Sequence, residues 1–322
     1  MTSLWDQKPY YSLDYYFKSV YGQKIYKIAL NGGMTCPNRD GSIDTRGCIF
    51  CSQGGSGEFA APINAEAPDV KAQIAVARER ISQKVKDARY VAYFQPYSNT
   101  YADVDYLRAL YTSALDEEDI VGLSIATRPD CLPDEVLDLL DELKKIYEDK
   151  FIWIELGLQS AHRKTAQYIR RGYETSVFET AVKNLHDHHI PVIVHAILGL
   201  PGESREDMLG TIEYINTFPI FGIKLQLLHV LKGTDLATHY NDGEFDTFTK
   251  NEYIGIVISC LERLSSDIVI HRVTGDGPRN LLIAPTWSTD KKGVLNTLIK
   301  TMLDNNTYQG RLYHDTRSFD II

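Results

Sequence analysis

Short apolar, β-branched runs recur seven times in this chain, at residues 24–30, 90–95, 121–127, 151–158, 191–198, 223–229 and 268–274. Between them the apolar residues take a helical spacing, at 69–87, 103–115, 133–148, 175–188, 205–218 and 251–264. Strands that alternate with helices of this length build βαβ units, and successive units give a parallel sheet. Six such units in series within 322 residues predict an α/β fold, a complete or partial (βα)6-type TIM barrel with parallel strands. Asp69, Asp103 and Ser204 stand where helix N-caps are needed, and Pro133 fits a first helical position. The expected organisation is a barrel core at 1–275, N-terminal extension included, with a C-terminal extension at 276–322 packed on it and carrying one basic helix near 291–305. In such barrels the chemistry sits at the C-terminal ends of the strands.

Residues 31–64 break the pattern. They are rich in Gly, Asp, Ser and Cys, show neither period, and make a loop long enough to point to function. Cys36, Cys48 and Cys51, three of the chain's five cysteines, lie in it. An odd cysteine count argues against a disulfide framework. Thiolates are soft ligands that suit zinc or iron–sulfur clusters. A closed zinc site takes four ligands, and no fourth Cys or His lies nearby in the sequence. Three thiolates on a four-iron cluster leave one iron open to a ligand that is not protein. A zinc site that only stiffens the loop is the alternative. Cys131 and Cys260 fit small buried residues rather than ligands.

This loop resembles that of the radical S-adenosylmethionine (SAM) enzymes, whose three cluster cysteines follow the first barrel strand with an aromatic residue before the last. Phe50 holds that place. Eleven residues separate Cys36 from Cys48 where three are usual, a gap characteristic of the branch that includes the elongator catalytic subunit. Thr35-Cys36-Pro37-Asn38-Arg39-Asp40-Gly41, Gly47-Cys48-Ile49-Phe50-Cys51-Ser52, Gly55-Ser56-Gly57 and Arg272-Val273-Thr274-Gly275-Asp276-Gly277-Pro278 are similar to the bacterial YtqA/YhcC group, and the resemblance covers nearly the whole chain. It implies a radical SAM core with a [4Fe–4S] cluster on Cys36, Cys48 and Cys51, SAM as cofactor, and an electron donor such as flavodoxin or ferredoxin.

The resemblance also implies a cofactor pocket. In the oxygen-independent coproporphyrinogen dehydrogenases, which share this organisation, a glutamine after the fourth strand meets the cofactor and an arginine twelve residues later binds its carboxylate. Gln159 and Arg171 match that spacing, and a guanidinium pairs bidentately with a carboxylate; an arginine on a solvated face is the alternative. Gly199, with Gly202, permits the close approach an adenine edge needs. His195 falls where those relatives carry an aspartate that contacts ribose, or else it is a hydrogen-bonded core histidine. The loop after the second strand lacks the usual Gly-rich turn for the cofactor's amino group and offers Gln95 or Ser98. After the third strand, Thr127 and Arg128 stand where relatives often place an acid. His186, His188 and His189 fit a helix C-terminus better than a metal site. The tyrosines between 10 and 21 fit packing over the barrel mouth or base better than stacking on nucleobases.

A net charge of −9 discourages a nucleic-acid partner. Yet fourteen Asp and Glu crowd residues 103–149 against four Lys and Arg, so the remainder is close to neutral. No run approaches the roughly 18 apolar residues of a membrane span, and the first residues show no basic and apolar leader. A cytoplasmic protein with no membrane partner is expected. The resemblance implies tRNA as substrate and, as reaction, conversion of carboxymethylaminomethyl uridine at the wobble position to aminomethyl uridine. Radical oxidation of a porphyrin or another small molecule is one alternative, and a non-catalytic zinc-stabilised scaffold is another. For tRNA, phosphate contacts fall to Arg163, Lys164, Arg170, Arg272, Arg279, Lys291, Lys292 and Lys300.

Overall fold

The computed structural model describes residues 5–314 apart from 56, 58–59, 61–68, 83–86 and 276. Ser56 and Asp276 of the quoted motifs, part of the cysteine loop, part of the helix expected at 69–87 and the last residues of the C-terminal extension lie outside the described residues.

The strands are β1 (Ile25–Leu30), β2 (Arg89–Phe94), β3 (Ile120–Thr127), β4 (Phe151–Gln159), β5 (Val192–Leu198), β6 (Gly222–Leu227), β7 (Val230–Leu231), β8 (Val269–Arg272) and β9 (Leu282–Ala284). β1 to β6 and β8 pair in sequence order, all parallel, in one curled sheet. Each expected strand is present to within two residues at either end. β3 is buried along its whole length, as a strand covered on both faces must be, which is why these segments are apolar runs rather than alternating ones. β1 and β8 are the ends of the sheet and do not pair with each other, so the barrel is partial. β7 and β9 form a separate antiparallel pair that sequence periodicity does not reveal.

Helices Val70–Ser82, Val104–Leu115, Asp134–Ile146, Thr175–Asp187, Arg205–Asn216 and Lys250–Arg263 lie on the connections between successive strands of the sheet. Ser204 starts its helix with a reciprocal capping box to Asp207, and Asp103 accepts from the Asp105 amide. Asp69 accepts from the Ala72 amide at 2.9 Å. Pro133 is an N-cap rather than the first helical residue. The short helices Arg163–Tyr168 and Asp235–Asn241 lie in connections that the sequence pattern left as loops.

Helix Leu13–Tyr21 closes the base of the sheet. Phe17 is 2% exposed, and its ring stacks on Trp153 with centroids 5.7 Å apart. Tyr16 meets Phe221 edge-on at 5.1 Å. Phe151, Trp153, Val91 and Ile193 complete this cluster from the N-terminal halves of their strands, so the tyrosine-rich segment packs at the base and not the mouth. The preceding residues stitch the free edge of β8: the Ile270 amide donates to Tyr11 O at 2.7 Å. Gln309 clasps the same place, its Oε1 accepting from the Tyr11 amide and its Nε2 donating to Ser265 O and Ile268 O. Helix Lys291–Asp304 packs on Lys250–Arg263 and sends Leu298 and Met302 into the main core. Among the described residues no helix is long and apolar enough to cross a membrane.

Because Phe17 fills the base, Phe17→Ala is expected to lower the unfolding free energy by about 3–5 kcal/mol. The measurement is an anaerobic denaturant titration; an unshifted midpoint means the plug is dispensable.

Candidate active site

The loop that leaves β1 folds over the C-terminal end of the sheet and is pinned there by its own polar side chains. Asn38 Nδ2 donates to Arg170 O at 2.8 Å and Arg171 O at 3.2 Å, and lies 3.5 Å from Cys48 Sγ. Arg39 donates to Cys51 O and Ser52 O at 2.8 and 2.6 Å, and Arg170 Nε reaches Gly47 O at 3.0 Å. The Gly47 amide returns to Asn38 O at 2.7 Å, so the eleven-residue gap doubles back and brings its two ends together.

Cys36, Cys48 and Cys51 thereby border one cavity of about 370 Å³, with Gln95, Ser98, Gln159, Arg171 and His195. That size suits a small-molecule ligand. Burial first, then Cys51, pushes the Cys48 thiol up to about 12, which a bound metal reverses. Among the described residues no three Cys, His, Asp or Glu converge closely enough for a single metal ion. Three thiols on one wall are the donor set that a four-iron cluster with one open iron takes, whereas a closed zinc site takes four ligands. The wall also holds polar atoms that the protein leaves unsatisfied. Gln159 sits at the end of β4 in the left-handed region, φ 66°, with Oε1 buried and, among the described residues, unpartnered; Ser98 Oγ is buried too, with the Cys131 thiol as its neighbour. Each such group costs roughly 1–3 kcal/mol until a ligand pairs it.

Beneath the thiols, the seven strands of the sheet send side chains into one polar layer. Lys27, Tyr93, Ser124, Glu155, His195, Lys224 and Arg272 come from β1, β2, β3, β4, β5, β6 and β8 respectively. Glu155 is fully buried and accepts from Lys27 Nζ at 2.7 Å, Ser124 Oγ at 2.6 Å, His195 Nε2 at 2.7 Å and Lys224 Nζ. Lys224 Nζ also lies 3.0 Å from Tyr93 Oη. Burial opposes the Glu155 charge, yet Lys224, Lys27 and His195 hold its carboxyl well below the usual range. Burial, then Lys224, lowers His195 to about 4, so it is neutral and its Nε2–H points at Glu155. Sequence reasoning placed only His195 at this site. The missed signal was a charged residue amid three of the apolar runs: Lys27 in β1, Glu155 in β4, Lys224 in β6.

The Radical SAM superfamily profile matches residues 44–215, more than half of the chain. This chain belongs to the radical SAM superfamily. The profile of the Radical SAM C-terminal domain follows at residues 220–304. The chain is 41% identical to the protein YtqA of Bacillus subtilis (strain 168) over 307 residues, which is 95% of this chain and 94% of YtqA. It is 26% identical over 181 residues to a tRNA uridine(34) acetyltransferase of Dehalococcoides mccartyi (strain CBDB1), covering 55% of this chain and 38% of that protein. Among solved structures, the archaeal Methanocaldococcus infernus Elp3 with an N-terminal deletion has a TM-score of 0.67 at 17% identity. That likeness is one of fold, and it covers 88% of this chain and 64% of Elp3. Radical SAM enzymes generally use a [4Fe–4S] cluster and SAM.

Three expectations for a radical SAM pocket change on contact with the geometry. Arg171 borders the cavity but is 2% exposed, and its five N–H groups are spent on Leu158 O, Ser160 O, Tyr173 O (twice) and Thr175 Oγ1. It has no donor left for a carboxylate and acts as a strut between β4 and the following helix. Gly199 does not border the cavity; a Cβ there would lie 3.0 Å from the Phe248 ring, and its φ of 88° demands glycine for backbone reasons. Arg272, expected at a phosphate, lies in the cavity wall. Cys131 and Cys260 are buried as expected.

If Arg171 is a strut, Arg171→Met should lower the stability of the cofactor-free protein by about 3 kcal/mol. A cofactor clamp alone predicts no change in that measurement. His195 gives a pH signature. The unfolded chain takes up a proton near 6.5 that the folded one refuses until about 4, so stability is lost as pH falls through that window. The slope from this residue is on the order of 1.4 kcal/mol per pH unit. Unfolding titrations at pH 7 and pH 5 should differ less in His195→Gln than in the wild type.

Proposed function

We propose that Cys36, Cys48 and Cys51 hold a [4Fe–4S] cluster whose open iron takes SAM, and that the enzyme converts carboxymethylaminomethyl uridine at the tRNA wobble position to aminomethyl uridine. The observation that carries the radical reading is the set of three thiols, without a fourth ligand among the described residues, on the rim of a cavity lined by unsatisfied polar atoms. Bound together, cluster and SAM supply methionine and a 5′-deoxyadenosyl radical after one electron from a flavodoxin- or ferredoxin-type donor. The chain's residues do the rest. Asn38, Arg39 and Arg170 fix the loop, Gln159 Oε1, unpartnered among the described residues, and the buried Ser98 Oγ are placed to meet the cofactor's polar groups, and Gln95 and His195 line the same wall. The enclosed wall keeps water from a reactive intermediate.

For the substrate, support comes from the similarity to a tRNA uridine(34) acetyltransferase and from the need to extrude a base whose side chain reacts in a cavity. Anticodon nucleotides are readily splayed, which suits single-stranded recognition. Arg163 and Lys164 are exposed at the start of their helix. Lys300 is exposed and paired with Asp304.

Replacing any one of Cys36, Cys48 or Cys51 by Ala should abolish cluster assembly and SAM cleavage, whereas Cys131→Ala and Cys260→Ala retain both. Iron and sulfide analysis of anaerobically purified protein reads the first, and 5′-deoxyadenosine formation the second. Stoichiometric zinc in the wild type ends the radical reading. Mass spectrometry of tRNA nucleosides from a deletion strain should show carboxymethylaminomethyl uridine accumulating; unaltered wobble uridines end the tRNA reading alone.

A further inference from the structure

The cavity is cationic in a protein that carries a net charge of −9. Among the described residues its wall includes Arg39, Arg128, Arg171, Lys224 and Arg272 against one carboxylate, Glu155. Three of these guanidinium groups are already engaged: Arg39 with loop carbonyls, Arg128 with Asp130 and Arg171 O, Arg171 in five hydrogen bonds to four acceptors. Arg272 differs. Among the described residues its guanidinium makes no hydrogen bond or ion pair. Glu155 cannot serve it, because both carboxylate oxygens are taken, one by Lys27 and Ser124 and the other by His195 and Lys224. Arg272 pairs in register with Lys224, so the two side chains leave neighbouring strands on the same face. Burial, Lys27 and Arg272 together pull the Lys224 ammonium well below its usual value although Glu155 opposes them. Among the described residues three basic groups share one anion in an enclosed place, and such an excess is costly unless a ligand balances it.

We propose that Arg272, with Lys224 beside it, is the receptor for a carboxylate on the substrate, and sets the enzyme's preference for a side chain that ends in one. A guanidinium accepts a carboxylate as a fork while Lys224 adds a point charge. The inference rests on the tRNA reading for the identity of that carboxylate, the carboxymethyl end of the modified uridine. The product keeps a cationic amine but has lost the carboxylate, so the same floor holds substrate and disfavours product. The carboxylate of SAM is the other source of the same chemistry, and it is separated by experiment.

The test uses reconstituted enzyme and two anticodon stem–loop RNAs, one with carboxymethylaminomethyl uridine and one with aminomethyl uridine at the wobble position. Wild type should bind the first more tightly. Arg272→Gln should bind it about ten- to a hundredfold more weakly and lose the preference, with SAM affinity unaltered. Because Arg272 has no partner among the described residues, Arg272→Gln should unfold at the same temperature as wild type or higher, which a structural role does not predict; Arg272→Lys should keep part of the preference. A wild type that prefers the first RNA and a variant that prefers it equally overturn the inference and spare the tRNA reading. So does a loss confined to SAM affinity. A wild type that binds neither RNA, or both alike, overturns the inference, and absence of nucleoside conversion by that wild type overturns the tRNA reading with it.

Discussion

Glu155 lies at the centre of the sheet with no exposed surface, and its two carboxylate oxygens take four donors from β1, β3, β5 and β6. A carboxylate can be buried only when its lone pairs are filled and its charge is matched, and here four strands must be in register for that to hold. The constraint works in both directions. Lys27 and Lys224 could not be inside the barrel without Glu155, and Glu155 could not be inside without them. The polar layer divides the interior into an aromatic base that needs only packing and a mouth free to carry chemistry.

The cysteine loop depends on a second, smaller set of contacts. Asn38 is 1% exposed and binds the carbonyls of Arg170 and Arg171, so the loop after β1 is registered against the segment after β4. Gly172 makes this approach possible: a Cβ there would come within 2.4 Å of Asn38 Oδ1, and its φ of 83° is ill suited to other residues. Arg171 braces the same segment from beneath. The long spacing between Cys36 and Cys48 is therefore a folded excursion, which leaves its two thiols on one cavity wall.

Much of the fold was legible because parallel strands buried on both faces write themselves as uninterrupted β-branched runs, and because Ser204 and Asp103 cap where caps are needed. Two-residue β7 and three-residue β9 are too short to show a period, as are the helices of six and seven residues at 163–168 and 235–241. At the site, the cysteines were legible by type and spacing. Arg171 was placed at the right cavity with the wrong task, since spacing says where a guanidinium starts and not which carbonyls its five donors find. The charges inside β1, β4 and β6 were visible all along. Their meaning depends on strand register, which brings residues 27, 155 and 224 together only in three dimensions.

The clasp at the edge of β8 has a consequence for how the molecule comes into being. Tyr11 and Gln309 are 298 positions apart, yet they meet each other, Tyr11 on β8 and Gln309 on the residues just before it. On a ribosome the early strands can pair as they emerge, but this seam waits for nearly the last residue described. Until then the Tyr11 segment that covers the β8 edge lacks the Gln309 contact, and an edge whose cover is loosely held presents amides by which sheets join to strangers. The interval between synthesis of residue 270 and residue 309 is thus the time in which a nascent chain most needs shielding from its neighbours.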